Sequence, residues 1–124
     1  MINPTKLASK DFLSSLDLKY EEVDHILKLA ENFKKKEINF DLKNKVLGLI
    51  FDKSSTRTRV SFQVAMSRLG GTTIDLNPTT SQIGRGEPIK DTARVLSRYC
   101  DVIAIRTFIH SDLEEYAKWS TKPC

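Results

Sequence analysis

The chain has 124 residues, of which 40% are hydrophobic and 29% charged, and its formal net charge is +4. This composition predicts a single globular domain over residues 1–124. No run is long and apolar enough to predict a membrane span, and the N-terminus does not have the pattern of a secretory signal. The modest positive charge suits a small anion, and two cysteines without metal-ligand spacing are typical of a protein of the reducing cytoplasm.

Helical and strand patterns alternate along the chain. An amphipathic helix is predicted over residues 20–36, and a near-continuous apolar run predicts a buried strand over 45–51. A helix over 56–69 follows, ended by Gly70 and Gly71, and then a strand over 72–76. The remaining patterns predict a helix from 88 to 98, a strand within 101–106 and, from a capping box at Ser111, a helix to 119. The alternation predicts an α/β fold, a parallel sheet with helices on both faces.

Two further segments stand outside this alternation. Residues 77–87 contain two glycines, a proline and no apolar period, which predicts a loop of a length that is usually functional or mobile. Cys100 lies in an apolar setting before the third strand and is predicted to be a small residue of the core.

A cluster of hydroxyl and guanidinium groups follows the first strand, where Ser55, Thr56, Arg57, Thr58 and Arg59 open the next helix. A helix N-terminus offers unpaired N–H groups and the positive end of a dipole, and arginine matches phosphate oxygens. Each residue taken singly is also typical of a helix cap or a solvated surface, but five in a row favour a phosphate site. The spacing is not that of a Walker A loop, so no magnesium-nucleotide site is indicated.

Arg106 is predicted at the end of the third strand. Ligands of parallel sheets bind outside the carboxyl ends of the strands, and residues 55–58 are predicted at the same edge. A salt bridge at a strand end is the alternative interpretation for Arg106, but the neighbouring cluster favours a ligand role.

The stretch Ser-Thr-Arg-Thr-Arg, preceded by Phe51 and followed by Ser61 and Phe62, resembles the carbamoyl-phosphate motif of the aspartate/ornithine carbamoyltransferase family. The resemblance covers nearly the whole chain and implies the N-terminal, carbamoyl-phosphate-binding domain. Two stretches resemble the ornithine branch. One is the loop sequence Ser-Gln-Ile-Gly-Arg-Gly-Glu over 81–87, and the other is Arg106 followed by Thr, Phe and then His110. The aspartate branch typically carries a Ser-Ser pair and Lys-Gly-Glu in that loop, which reaches a neighbouring subunit's site.

The resemblance implies roles for individual residues. It assigns the phosphate group to Ser55, Thr56, Arg57 and Thr58, and the carbonyl oxygen to Thr58 and Arg106, which are the expected catalytic residues. Gln82 matches a residue that contacts carbamoyl phosphate in the ornithine branch, although an exposed loop amide is the alternative. Arg59 is expected to be structural and to pair with a carboxylate such as Glu87. No metal or organic cofactor is implied.

The implied reaction transfers the carbamoyl group to the δ-amine of ornithine, giving citrulline and phosphate, as a step of arginine biosynthesis. The full-length protein is expected to be a cytoplasmic homotrimer. The family's His-Pro-Cys-Gln stretch and its ornithine-binding second domain do not occur in this sequence. We therefore expect a truncated chain that binds carbamoyl phosphate, needs the second domain for ornithine, and is inactive alone.

Three alternatives stay open at this point. The first is an aspartate carbamoyltransferase-type domain, and the second is a non-enzymatic phosphate-binding module, which would not need Arg106 or Gln82. The third is nucleic-acid binding through the positive charge. Against the third, the arginines cluster at one turn and form no basic face interleaved with aromatic residues.

Overall fold

The computed structural model describes residues 7–37, 39–52, 55–76 and 86–124. The chain divides into two compact units, Met1–Phe40 and Asp41–Cys124. The single domain over residues 1–124 stays a prediction. Most of the loop predicted over 77–87 lies outside the described residues. Within the described ranges, no helix is both long and apolar enough to cross a membrane.

The first unit contains a short 3-10 turn, Ser15–Asp17, and helix α1, Tyr20–Lys34. The predicted helix is confirmed, but it ends before residue 36, because Lys36 has a left-handed backbone with φ of 60°. The buried Glu22 carboxylate accepts hydrogen bonds from the N–H of Lys19 at 2.7 Å and of Ala8 at 2.8 Å. These hydrogen bonds lower the pKa of Glu22 and tie the preceding segment to the first turn of α1.

The second unit alternates strands and helices in the predicted order. Its elements are β1 (Val46–Phe51), α2 (Thr56–Arg68), β2 (Thr72–Leu76), α3 (Ile89–Tyr99), β3 (Val102–Arg106) and α4 (His110–Trp119). The three strands form one parallel sheet in the order β2-β1-β3, so β1 is central. In the register, Ile50 lies opposite Leu76 of β2 and Ile105 of β3, and Phe51 lies opposite Arg106. The predicted parallel α/β fold is confirmed.

Both faces of the sheet carry apolar clusters, because successive side chains of β1 point to opposite faces. On one face, Met66 of α2 packs against three buried residues of β1, namely Leu47, Leu49 and Phe51. On the other face, α3 and α4 cover Ile50 and Ile103 with Ala93, Leu96 and Tyr116. Helices therefore lie on both faces, as the near-continuous apolar run of β1 predicts.

Helix α2 ends as its two glycines predict. Gly70 has φ of +84°, its N–H donates to Ser67 O at 3.2 Å, and the N–H of Gly71 donates to Met66 O at 2.9 Å. These are the two hydrogen bonds of a Schellman motif. The capping box predicted at Ser111 is wrong: α4 begins at His110, so Ser111 lies inside the first turn and Ile109 occupies the cap position.

Gly48 and Cys100 meet where the start of the third strand approaches β1. Cys100 is 2% exposed, which confirms it as a core residue, and burial raises the pKa of its thiol. A Cβ atom on Gly48 would lie 2.9 Å from Cys100 Sγ. Glycine is therefore the residue that lets the sulfur pack directly on the backbone of β1.

Candidate functional site

A cavity of about 530 Å³ lies beside the carboxyl ends of β1 and β3. Five residues line it, and all five come from the sequence-based prediction: Ser55, Thr56, Arg57, Thr58 and Arg106. Ser55 is the N-cap residue of α2, and the next three residues form its first turn. Parallel pairing places Arg106 opposite Phe51, the last residue of β1, and so brings it to the same edge.

Arg106 connects the two sides of the cavity. Its Nη1 donates a hydrogen bond to Ser55 Oγ, and its backbone oxygen accepts one from the N–H of Asp52 at 2.8 Å. The guanidinium is thereby oriented from both ends, by its own strand and by the cap of α2. Arg57 and Arg106 are both exposed. Within the described residues, neither arginine pairs with a carboxylate, so both positive charges are available to an anion.

The first turn of α2 keeps its hydrogen-bond donors. A serine at an N-cap ordinarily accepts a hydrogen bond from an N–H two or three residues later. Ser55 caps no such group here, because its hydroxyl accepts from Arg106 instead. Among the described residues, the N–H groups of Thr56, Arg57 and Thr58 have no acceptor, whereas Arg59 N–H donates to Ser55 O at 2.9 Å. The cavity therefore combines N–H donors, hydroxyl groups and two guanidinium groups, which together suit a phosphate.

Arg59 turns to a different set of contacts. Its Nε lies 3.4 Å from Asp75 Oδ2, and its guanidinium carbon lies 5.5 Å from the ring centroid of Phe51. The carboxylate partner of Arg59 is thus Asp75 on β2, and the prediction that Glu87 is this partner is wrong. The ion pair joins α2 to the neighbouring strand. The position of Asp75, next to last in a strand parallel to β1, is the signal that could have identified it.

Two further points complete the site. Gln82 lies outside the described residues, so its predicted contact with the ligand stays a prediction.

In the part of the chain that the structure describes, no three residues of His, Cys, Asp or Glu gather as a metal site would require. The residues that line the cavity carry hydroxyl and guanidinium groups, which bind oxyanions and are poor ligands for metals.

Most of the chain is similar to one known protein family. The family model described as aspartate/ornithine carbamoyltransferase, carbamoyl-P binding domain, matches residues 10–124. The ornithine carbamoyltransferase of Prochlorococcus marinus subsp. pastoris is 80% identical over 123 residues, which are 99% of this chain and 40% of that protein. The ornithine carbamoyltransferase of Nostoc punctiforme is 52% identical over 117 residues, 94% of this chain and 38% of that protein. The chain thus spans only 38–40% of the length of these relatives.

Solved structures share the fold. The crystal structure of ornithine carbamoyltransferase from Gloeobacter violaceus superposes with a TM-score of 0.82 at 50% identity, over 93% of this chain and 37% of that one. Aspartate transcarbamoylase from Trypanosoma cruzi, in complex with carbamoyl phosphate, gives a TM-score of 0.84 at 28% identity, over 94% of this chain and 38% of that one. The fold is equally close in both, whereas the sequence identity is higher with the ornithine enzyme.

Proposed function

The chain belongs to the aspartate/ornithine carbamoyltransferase family, and we propose that it is the carbamoyl-phosphate-binding part of an ornithine carbamoyltransferase. The observation that carries the proposal is the cavity in which Arg57 and Arg106 lie beside three hydroxyl groups and a helix N-terminus. Carbamoyl phosphate is a small dianion with a reactive carbonyl. It needs cations and N–H groups around its phosphate and separate donors at its carbonyl oxygen.

In this proposal, Ser55, Thr56, Arg57 and Thr58 bind the phosphate group. Thr58 and Arg106 donate hydrogen bonds to the carbonyl oxygen. The δ-amine of ornithine attacks the carbonyl carbon, so that a C–N bond forms and negative charge develops on that oxygen. The C–O bond to phosphate then breaks, the amine loses a proton, and citrulline and phosphate result. Donors fixed by the fold stabilise the developing charge without reorganising during the reaction.

The anchoring of Arg106 supports its catalytic role. A guanidinium that acts on a developing oxyanion must be positioned before the ligand arrives. The hydrogen bond to Ser55 and the pairing of the Arg106 backbone with Asp52 supply that positioning. Bare phosphate binding would not need a further cation at the end of β3, so this arrangement favours a carbamoyl compound over a phosphate-binding module.

The ornithine branch is favoured over the aspartate branch by identities of 80% to an ornithine enzyme and 28% to an aspartate enzyme. Gln82 is part of the proposal as a further contact to carbamoyl phosphate. Binding of ornithine belongs to the whole enzyme, since the chain spans about two-fifths of its relatives. A role in arginine biosynthesis and a cytoplasmic location follow from the family resemblance and complete the proposal.

We also propose that the full-length protein is a homotrimer. An apolar groove of about 520 Å³ runs along α2, lined among others by Phe62, Met66 and Val102. Phe62 is 39% exposed although its ring centroid lies 6.4 Å from that of Phe51 in the core. Exposed apolar grooves of this kind favour association. Sedimentation velocity should show self-association that Phe62→Ser weakens, and a strictly monomeric parent chain would contradict this use of the groove.

Calorimetric titration of the 124-residue chain with carbamoyl phosphate tests the central proposal. Arg57→Ala should weaken binding at least about tenfold, because a charge-assisted hydrogen bond contributes roughly 1.5–3 kcal/mol. Arg68→Ala is the matched control, since Arg68 is an exposed arginine at the other end of the same helix. Unchanged affinity in Arg57→Ala would contradict the proposed site.

Competition separates the proposal from the phosphate-module alternative. Carbamoyl phosphate should bind more tightly than inorganic phosphate, and Arg106→Gln should reduce that preference, since Arg106 is assigned to the carbonyl oxygen. Equal affinities for the two anions in the parent chain would favour a plain phosphate-binding module.

A further inference from the structure

Three cationic side chains converge on one aromatic ring on the α3–α4 side of the second unit. The side-chain nitrogen of Lys90 lies 4.6 Å from the ring centroid of Trp119, and that of Lys118 lies 5.1 Å from it. The guanidinium carbon of Arg94 lies 4.7 Å from the same centroid. The ring itself is half-buried and packs against the core cluster under α3 and α4, so it is held in place.

The charges of this cluster have no ion-pair partner in the part of the chain that the structure describes. Within the described residues, none of Lys90, Arg94 and Lys118 takes part in an ion pair. Since all three lie close to one centroid, any two of the cationic centres are within about 10 Å, roughly the Debye length at 0.1 M salt. Lys90 and Arg94 also face each other one helical turn apart, where like charges destabilise a helix.

The ring offsets only part of this repulsion. A cation–π contact at an exposed site is a weak attraction, and one indole cannot present a free face to three cations at once. An anion placed among the three would remove the repulsion and use the planar fork of the guanidinium together with the two ammonium groups. A single carboxylate is too small to reach all three, whereas two linked phosphate groups carry enough oxygens and charge.

We propose that Lys90, Arg94, Lys118 and Trp119 form a second anion site, which binds a polyphosphate group. The site is distinct from the cavity beside Arg57 and Arg106, because it shares no residue with it. It is also borne by α3 and α4, which lie on the face of the sheet opposite α2. The polyphosphate could come from inorganic pyrophosphate or from the tail of a nucleoside triphosphate, and the two sources share the chemistry that the cluster recognises.

Trp119 is the only tryptophan of the chain, so its fluorescence reports directly on this site. Pyrophosphate and ATP are each titrated into the 124-residue chain, with fluorescence and calorimetry read in parallel, against sodium sulfate at matched ionic strength. We expect a saturable response to pyrophosphate and a weaker one to sulfate. Equal affinity for ATP and pyrophosphate identifies the phosphate groups as the ligand, and tighter binding of ATP identifies a nucleotide.

Variants make the assignment specific. Arg94→Gln and Lys118→Gln should each weaken pyrophosphate binding about tenfold, whereas Lys43→Gln, which removes an exposed lysine elsewhere in the unit, should not. Arg57→Ala should leave the response of Trp119 unchanged, which separates this site from the carbamoyl-phosphate site. A response that follows ionic strength alone, that survives both α3 and α4 substitutions, or that disappears in Arg57→Ala would overturn the proposal.

Discussion

Replacing Gly48 by alanine should destabilise the second unit through one defined contact. The new Cβ atom would lie 2.9 Å from Cys100 Sγ, whereas ordinary contacts of such atoms begin at 3.4 Å. Neither partner has room to move, because Gly48 is in the central strand and Cys100 is only 2% exposed. Overpacking of this kind costs about 1–3 kcal/mol. Since alanine also restricts the unfolded chain by about 0.4–1 kcal/mol, a net loss of roughly 1–2 kcal/mol is expected.

A double-mutant cycle isolates the contact. Cys100→Ala removes the sulfur and alone leaves a small cavity, but in the double variant the new methyl group occupies part of that space. The two substitutions together should therefore destabilise the chain less than the sum of the single effects, by about 1 kcal/mol or more. Chemical denaturation followed by circular dichroism measures all four free energies of unfolding. Strict additivity, or a Gly48→Ala variant as stable as the parent, would refute the packing argument.

Three other outcomes are expected. The 124-residue chain should form no citrulline above background, because it spans about two-fifths of its relatives and a transferase must position both substrates; citrulline formation that Arg57→Ala abolishes would contradict this. Burial raises the pKa of Tyr116 from 10 to about 12, so the free energy of unfolding should fall as pH rises from 10 to 12. Tyr116→Phe should reduce that slope by up to about 1.4 kcal/mol per pH unit in alkaline denaturation curves. Glu22→Gln should destabilise α1 at neutral pH, and the difference should start to shrink as pH falls below 4.5 and be lost once pH lies below the lowered native pKa. A far-UV signal that does not change in acid would argue against that role.

The local patterns that predicted the fold are those on which burial acts directly. The apolar run of β1 is typical of a strand covered on both faces, and the two glycines after α2 are typical of a helix end. The cluster at residues 55–58 needed no long-range knowledge either, because a helix N-terminus is a local structure. Placing Arg106 beside it required only the rule that parallel strands end at one edge.

The features that the sequence did not predict correctly depend on contacts between segments that are distant in the sequence. The partner of Arg59 is decided by the register that sets Leu49 of β1 opposite Asp75 of β2, and no local pattern reveals a register between parallel strands. Helix α4 begins at His110, one residue before the serine that local capping chemistry favours, and its cap residue Ile109 makes no side-chain hydrogen bond to the first turn. No local pattern predicts the cluster around Trp119 either, because its residues come from two different helices.

The hydrogen bond between Arg106 and Ser55 joins residues that are 51 positions apart. Such a contact closes a long loop, which costs conformational entropy, so it depends on the native fold to hold its two ends together. The unfolded chain does not hold Arg106 beside Ser55, so a ligand that needs both residues binds the native state alone. Such a ligand raises the free energy of unfolding by RT ln(1 + [L]/Kd), which is about 2.7 kcal/mol at a ligand concentration of a hundred times Kd. The melting temperature of this chain should consequently serve as a quantitative gauge of site occupancy.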